Sequence, residues 1–597
     1  MTRIPLRPLA RVIYARATGE NPNHVEKAAR ARRDRKSQKA LRRQAEARLI
    51  LLCLCFFLAF VTVGGRMALL ATSKPEEPTS AASHSTLVTA RAEIHDRNGN
   101  VLATNLLTRA LYARPLEMIE PERAASELVA IFPDLDEEKL TKDFTSGKRK
   151  FIWLKSTMSP EQRQAVHDIG EPGLEFGRRE MRLYPNGSVA SHILGGARYG
   201  SQAVTSAEII GVAGVERMFN DMLGDPSLGG APLELSLDLS VQATLERVLE
   251  GGMNVMGAKG AAATLMDVKT GEIIALASLP DFDPNSRPAP PQDGEAAYNP
   301  LFNRAAQGLY EFGSSLKIFT AGLALERGIA NRGTMIDTVG PWEVADAEIK
   351  DFDDYGPELS VEDIIIKSSN IGSGRLALMA GKPAQQQMLE NLGLKDVSGL
   401  ELPEASRAKP LWPGNWKDLE TVTISYGHGM SVTQVHLAAA YATIGNGGKQ
   451  VTPTLLKLEQ EPIGQRQVYS EETTAELLEM LRGVVISPEG TAGLADVPGY
   501  GVSGKTGSAE KIKKTGGYED DKLITTFASI FPYDDPQYVL VVSMDEPEIK
   551  TAGEAHRTAG WTAAPVASEI IIRVAPMLGL RPKEQAETSP QLLLTSQ

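Results

Sequence analysis

Ser314 and Lys317 stand three residues apart in Glu311-Phe-Gly-Ser-Ser-Leu-Lys-Ile-Phe-Thr320. The apolar run from Leu316 to Leu325, closed by Gly328, predicts a short buried helix with a glycine stop. Residues three apart share a helix face, so the lysine amine reaches back to the serine hydroxyl. An amine among apolar neighbours near the positive end of a helix dipole loses its proton readily. A neutral lysine is a base, and serine becomes a nucleophile once a base takes its proton. The pair is therefore a candidate acyl-transfer centre. Ser315 is the alternative nucleophile, but its partner three residues on is Ile318, which takes no proton.

A lone Ser-x-x-Lys arises by chance about once or twice in a chain of this length. Two further groups give it meaning. Ser368 and Asn370 form a Ser-x-Asn in Lys367-Ser-Ser-Asn-Ile-Gly372, and Lys505, Thr506 and Gly507 form a Lys-Thr-Gly followed by Ser508. A second Lys-Thr-Gly, Lys269 to Gly271, precedes the serine and reads as a hairpin turn. Ser-x-x-Lys, then Ser-x-Asn, then Lys-Thr-Gly on a strand is the order found in penicillin-recognising serine enzymes.

The elements that must hold these groups come as hairpins from both ends of the catalytic region. Gly260 to Ala277 reads as two strands around the Lys269 turn, and Thr525 to Phe531 with Tyr538 to Met544 as a second hairpin. Helical segments lie between them, and Ser240 is the expected cap of a helix through Leu249. The pattern predicts an α+β fold on an antiparallel sheet flanked by helices. Upstream, Asp96 to Gly99 reads as a turn between two short strands. The mixed region to about Leu233 reads as a pedestal or interaction domain.

The 597 residues exceed what one core organises, and the charge is split unevenly. Residues 1–48 hold 14 Lys or Arg against 4 Asp or Glu, leaving −22 for the rest of a chain whose net charge is −12. Leu49 to Gly65 is uncharged and extends past Arg66 to a span of residues 49–70, close to the minimum for crossing a bilayer. The basic flank keeps the N-terminus cytoplasmic and places the remainder outside. It accounts for the positive charge without nucleic-acid binding. Both cysteines, Cys53 and Cys55, lie in that span, so the external part has neither disulfides nor a cysteine zinc site. No cofactor or metal is expected. The boundaries read as a basic tail 1–48, span 49–70, linker 71–90, pedestal 91–233, catalytic domain 234–580 and tail 581–597.

The chain resembles the class B penicillin-binding proteins, and among them the division-specific peptidoglycan transpeptidases. The likeness rests on Arg91-x-x-Ile-x-Asp-Arg-Asn-Gly99, Arg182-x-Tyr-Pro185, Gly214-x-Glu216, Ser425-Tyr-Gly-His-Gly-Met-Ser-Val-Thr433, Gly490-Thr491, Gly499 to Gly507 and Ala563-Ala-Pro565, besides the three groups above. It implies a single-pass protein of the bacterial cytoplasmic membrane, with a pedestal and a penicillin-binding, β-lactamase-like transpeptidase domain in the periplasm. The substrates implied are peptidoglycan stem peptides, with β-lactams acylating Ser314. The partners implied are a polytopic glycosyltransferase of the FtsW type and other division proteins. By the same resemblance Lys317 is the base, Ser368 relays the proton to the leaving amine, and Asn370 holds Lys317 and the substrate amide. Lys505 and Thr506 bind the terminal carboxylate, Gly507 lets the substrate backbone approach, and the N–H groups of Ser314 and Ser508 form an oxyanion hole. Phe312, His428 and Ser508 depart from the usual pattern while leaving every reactive group in place, which bears on β-lactam affinity.

Other classes share part of this pattern. A hydrolase needs a group that activates water, and no Glu-x-x-Leu-Asn follows the Ser-x-Asn. A sensor or scaffold does not require Ser314 and Lys317. An elongation-specific class B enzyme differs in cellular role alone.

Overall fold

Gly260–Asp267 and Ile273–Leu279 form the hairpin predicted around Lys269, and Tyr518–Phe531 with Tyr538–Asp545 form the late one. The computed structural model describes residues 7–19, parts of 21–32, residues 51–64, and residues 91–583 except 201–208, 292–297, 514–516 and 552. Together with Ser503–Ile512 the two hairpins make one five-stranded antiparallel sheet. Its order places Ser503–Ile512 at one edge, then Tyr518–Phe531, Tyr538–Asp545, Gly260–Asp267 and Ile273–Leu279. The Lys-Thr-Gly group thus lies on an edge strand, with Lys505 opposite Ala528 and Gly507 opposite Thr526.

The central strands are alanine- and β-branched-rich and buried on both faces, as a sheet covered on both sides requires. Leu239–Val255 and Ala563–Met577 pack together on one face, and Gln434–Gly445 covers the other. The Leu239–Val255 helix begins one residue before the expected cap. Asp238 takes the capping position and accepts the N–H groups of Ser240 and Val241, so Ser240 lies inside the first turn. Asp96 adds an acceptor for Leu239 N–H at 3.0 Å, tying the upstream domain to this helix.

A helical layer stands beside the sheet edge. At its centre is Lys317–Glu326, buried from Lys317 to Ala324 and packed by Val361–Lys367, Asn370–Ala380 and Glu471–Ile486.

In the upstream domain Asp96 to Gly99 is the expected turn, closed by Asp96 Oδ1 on the N–H groups of Asn98 and Asn100. It joins Ile94–His95 to the long strand Val101–Ala113, which pairs with Leu174–Leu183 and, at its end, with Ile152–Lys155. The motif residues Arg91, Arg182 and Glu216 meet here: the fully buried Glu216 accepts Arg91 Nε at 2.7 Å and Arg182 Nε at 2.6 Å. Two guanidinium groups satisfy one buried carboxylate, which is costly to bury alone.

The chain forms two units, Met1–Val88 and Thr89–Gln597. In the first, Arg7–Ala17 is a helix and residues 51–64 are helical, with Leu51, Leu52, Phe56, Phe57 and Phe60 exposed. No helix among the described residues is long and apolar enough to cross a membrane. Residues 49–50 and 65–70 of the expected span, the linker 71–90, and 584–597 of the tail lie outside the described residues.

Candidate active site

Three backbones converge at Ser314, and glycine is required at each contact. The chain enters the helix through a 3-10 turn, Gly313–Leu316, with Gly313 at φ +53°. A Cβ on Gly427 would lie 2.1 Å from Gly313 O, and one on Gly507 would lie 2.1 Å from Phe312 O. One on Gly313 would meet Ser508 O at 2.9 Å. Gly507 therefore admits the nucleophile turn itself to the edge strand, a closer demand on that position than a passing substrate backbone.

Ser314 is half-buried while Ser315 is fully buried, its hydroxyl donating to Phe312 O at 2.7 Å. Lys317 Nζ donates to Ser314 Oγ at 2.9 Å and to Ser368 Oγ at 3.0 Å, and also contacts the Ser368 carbonyl. The amine is thus held by three oxygens, two of them hydroxyls that can exchange a proton with it. Burial holds its pKa well below the ordinary lysine range, the Lys505 charge lowers it further, and Asp351 opposes both. The lowered pKa that the sequence reading expects of this amine thus has a physical cause in complete desolvation.

Ser368 ends Val361–Lys367 in the left-handed region, φ +71°. This conformation is costly for a non-glycine residue, and it turns both its carbonyl and its hydroxyl toward Lys317. Lys505 Nζ donates to the same hydroxyl at 3.0 Å and to Thr506 O at 3.3 Å. Burial pushes Lys505 down to about 7. Thr506 Oγ1 lies 2.6 Å from Thr491 Oγ1, and Ser508 Oγ accepts Ala559 N–H at 3.0 Å, anchoring the strand to the loop before the last helix.

Asn370 is placed differently from the expectation. Its amide nitrogen donates to Lys350 O at 2.8 Å, and the group holding Lys317 from this loop is Ser368. Asp351 Oδ1 accepts the N–H groups of Asn370 and Ile371, and its Oδ2 accepts Ser369 Oγ at 2.6 Å. It thus satisfies the N-terminus of Asn370–Ala380 and sets the loop that carries Ser368.

Asp351, Glu311 and Thr491 went unassigned by sequence reasoning. Glu311 Oε1 accepts Gly429 N–H at 2.9 Å and its Oε2 accepts Tyr518 OH at 3.1 Å, clamping the nucleophile segment to the 427–429 turn and the edge hairpin. A carboxylate three residues before Ser314 in an apolar stretch was the available signal. His428 lies in the same turn, its pKa lowered to about 4 by burial and the Lys317 charge, and is neutral at physiological pH.

Residues 261–571 match the family described as penicillin binding protein transpeptidase domain, and residues 86–225 match the penicillin-binding protein dimerisation domain. The chain belongs to the penicillin-binding proteins.

It is 35% identical over 511 residues to the probable peptidoglycan D,D-transpeptidase FtsI of Caulobacter vibrioides, covering 84% of this chain and 83% of that one. Against the peptidoglycan D,D-transpeptidase FtsI of Escherichia coli it is 29% identical, covering 92% and 95%. Penicillin binding protein 3 of Mycobacterium tuberculosis, solved with aztreonam, shares the fold with a TM-score of 0.62 at 24% identity, over 83% of this chain and 98% of that one. Within the penicillin-binding proteins this chain is a class B member resembling FtsI. The buried ring of Phe312 packs edge-on against Tyr310 at 6.1 Å.

Proposed function

We propose that the chain is a serine D,D-transpeptidase that cross-links peptidoglycan stem peptides during septal wall synthesis. The observation that carries this reading is the 2.9 Å hydrogen bond from a fully buried Lys317 amine to the half-buried Ser314 hydroxyl. Lys317 takes the Ser314 proton as Oγ attacks the penultimate D-alanine carbonyl of a D-alanyl-D-alanine end. The N–H groups of Ser314 and Ser508 receive the oxyanion, each donor worth about 3 kcal/mol in such sites. The C–N bond then breaks, and the proton passes from Lys317 through Ser368 to the departing D-alanine. An acyl group remains on Ser314. The amine of a neighbouring stem attacks that ester, gives its proton to Lys317, and Ser314 leaves with a proton restored. Lys505, Thr506 and Thr491 receive the terminal carboxylate, where a cation and hydroxyls suit an anion. Asn370 holds the substrate amide. β-Lactams acylate the same hydroxyl.

The proposal includes the topology: residues 1–48 in the cytoplasm, 49–70 across the inner membrane, and the linker 71–90, pedestal 91–233, catalytic domain 234–580 and tail 581–597 in the periplasm. The basic residues of 1–48 support that orientation. The glycan is supplied by an FtsW-type glycosyltransferase, the partner that the family resemblance implies.

The test is D-alanine release together with cross-linked product from a donor stem pentapeptide and an amine acceptor. Wild type gives both and Ser314→Ala gives neither; hydrolysis without cross-linking would contradict the transferase reading. Depletion producing filaments supports the septal role, and rounded cells contradict it.

A further inference from the structure

Strand Val101–Ala113 has a full ladder partner on one edge, where Thr104 to Ala113 pair with Leu183 to Leu174. Its other edge carries Ile152–Lys155 only at Leu111 to Ala113. Among the described residues, Leu106 to Ala110 have no ladder partner on that edge. After Lys155 the neighbouring chain leaves the ladder, with Ser156 O accepting the Thr108 hydroxyl at 3.0 Å, and beyond that contact lies a cavity of about 510 Å³. Its walls are Leu106 to Arg109 on one side and Thr157 to Pro160 with Arg163 on the other. An edge strand with free N–H and C=O groups is a template for another strand.

Leu106 is 47% exposed and Leu107 61%, so both faces of this strand present apolar surface at the gap. Arg109 and Arg163 are exposed and make no ion pair among the described residues, and no acidic side chain lines the cavity. A cation on an open edge discourages indiscriminate pairing while favouring a strand that brings carboxylates. A second copy of this chain pairing edge to edge would set arginine against arginine with nothing to offset it.

We propose that the open edge Leu106 to Ala110 receives an extended segment of a partner protein that alternates aliphatic and acidic residues. The segment adds a strand, its aliphatic side chains cover Leu106 and Leu107, and its carboxylates meet Arg109 and Arg163. The surface is remote in sequence from every group of the catalytic site, so it serves assembly or control.

The test uses the full chain in detergent and two labelled peptides with the same aliphatic residues, alternating with Glu in one and Lys in the other. Anisotropy should show the Glu peptide binding about tenfold or more tightly than the Lys peptide at physiological salt. Arg109→Glu combined with Arg163→Glu should invert that preference, and amide exchange should slow at residues 106–110 when the Glu peptide is bound. Both arginines are exposed, and unchanged circular dichroism and penicillin labelling establish that the variant is folded. The proposal is overturned by no binding of the Glu peptide up to millimolar concentration or by equal binding of both peptides. It is also overturned by protection elsewhere, or by self-association of wild type that the double variant loses.

Discussion

Lys317 and Lys505 donate hydrogen bonds to one and the same oxygen, the hydroxyl of Ser368, each at 3.0 Å. Both amines are fully buried. A cation on Lys505 beside the same hydroxyl lowers the hold of Lys317 on its proton, while Lys505 itself is lowered by burial. Burial is the larger influence on Lys317 and the Lys505 charge adds to it, both favouring the neutral amine that the proposed base role needs.

Removing the Lys505 charge should leave less of Lys317 neutral at a given pH. With Lys505→Met, Lys317 loses a neighbouring cation that lowers its pKa, so the acidic limb of the acylation rate moves to higher pH. At neutral pH acylation by a chromogenic β-lactam should slow. An unmoved limb would show that the two amines are not coupled.

Asp351→Asn should do the reverse. Asp351 raises the Lys317 pKa, so its loss moves the acidic limb to lower pH. Asparagine keeps an oxygen for the N–H groups of Asn370 and Ile371, so the helix cap survives in part. Asp351→Ala removes both backbone bonds, although Ser369 Oγ still accepts Gly372 N–H, and should cost about 1 kcal/mol more in urea denaturation.

Stability should depend on pH through Lys505. Its folded pKa is about 7 and its ordinary value is 10.5. Between those values the unfolded chain binds a proton that the folded chain does not, so stability rises with pH through that window. Below pH 7 both states are protonated and the folded state bears the full cost of a buried cation. The slope reaches about 1.4 kcal/mol per pH unit at most. Lys317, also held well below the ordinary lysine range by burial, adds a slope of the same sign, so Lys505→Met should lower the slope by up to about 1.4 kcal/mol per pH unit and raise the midpoint at pH 6 while abolishing turnover; an unchanged slope in Lys505→Met would assign it elsewhere. Glu246, raised to about 7 by burial, acts in a lower window with the opposite sign, since its folded state holds the proton that the unfolded chain has lost.

The glycines at the convergence should tolerate nothing larger. Gly507→Ala and Gly427→Ala each place a methyl 2.1 Å from a backbone oxygen of the nucleophile turn. Acylation should fall by about two orders of magnitude, the effect of displacing a reacting group by an ångström. Gly251→Ala is the control: its Cβ meets nothing within 4 Å, and alanine in a helix interior should stabilise by about 0.5–1 kcal/mol. Acylation at wild-type rate in Gly507→Ala would show that the strand and the turn shift apart freely.

The reactive groups were legible because their chemistry fixes their spacing: Lys317 must lie one turn from Ser314, and Lys505 must stand on a strand. The hairpins around Lys269 and Pro536 were legible because turn residues separate short continuous apolar runs. Asp351 was not, because a side chain that caps a helix from another loop has no required distance in sequence from Asn370. Glu311 was adjacent to the motif yet unread, since its partners Gly429 and Tyr518 lie more than a hundred residues away. The role of Gly507 against Phe312 O follows only from the packing of two distant backbones.

The most direct test of the account is peptide mass analysis after incubation with benzylpenicillin, using wild type, Ser314→Ala and Ser315→Ala. The penicilloyl adduct should lie on Ser314 in wild type, vanish in Ser314→Ala and persist in Ser315→Ala, whose hydroxyl is committed to Phe312 O. An adduct that survives in Ser314→Ala, or that maps to any other residue, would contradict Ser314 as the nucleophile and with it the roles given to Lys317, Ser368 and Lys505.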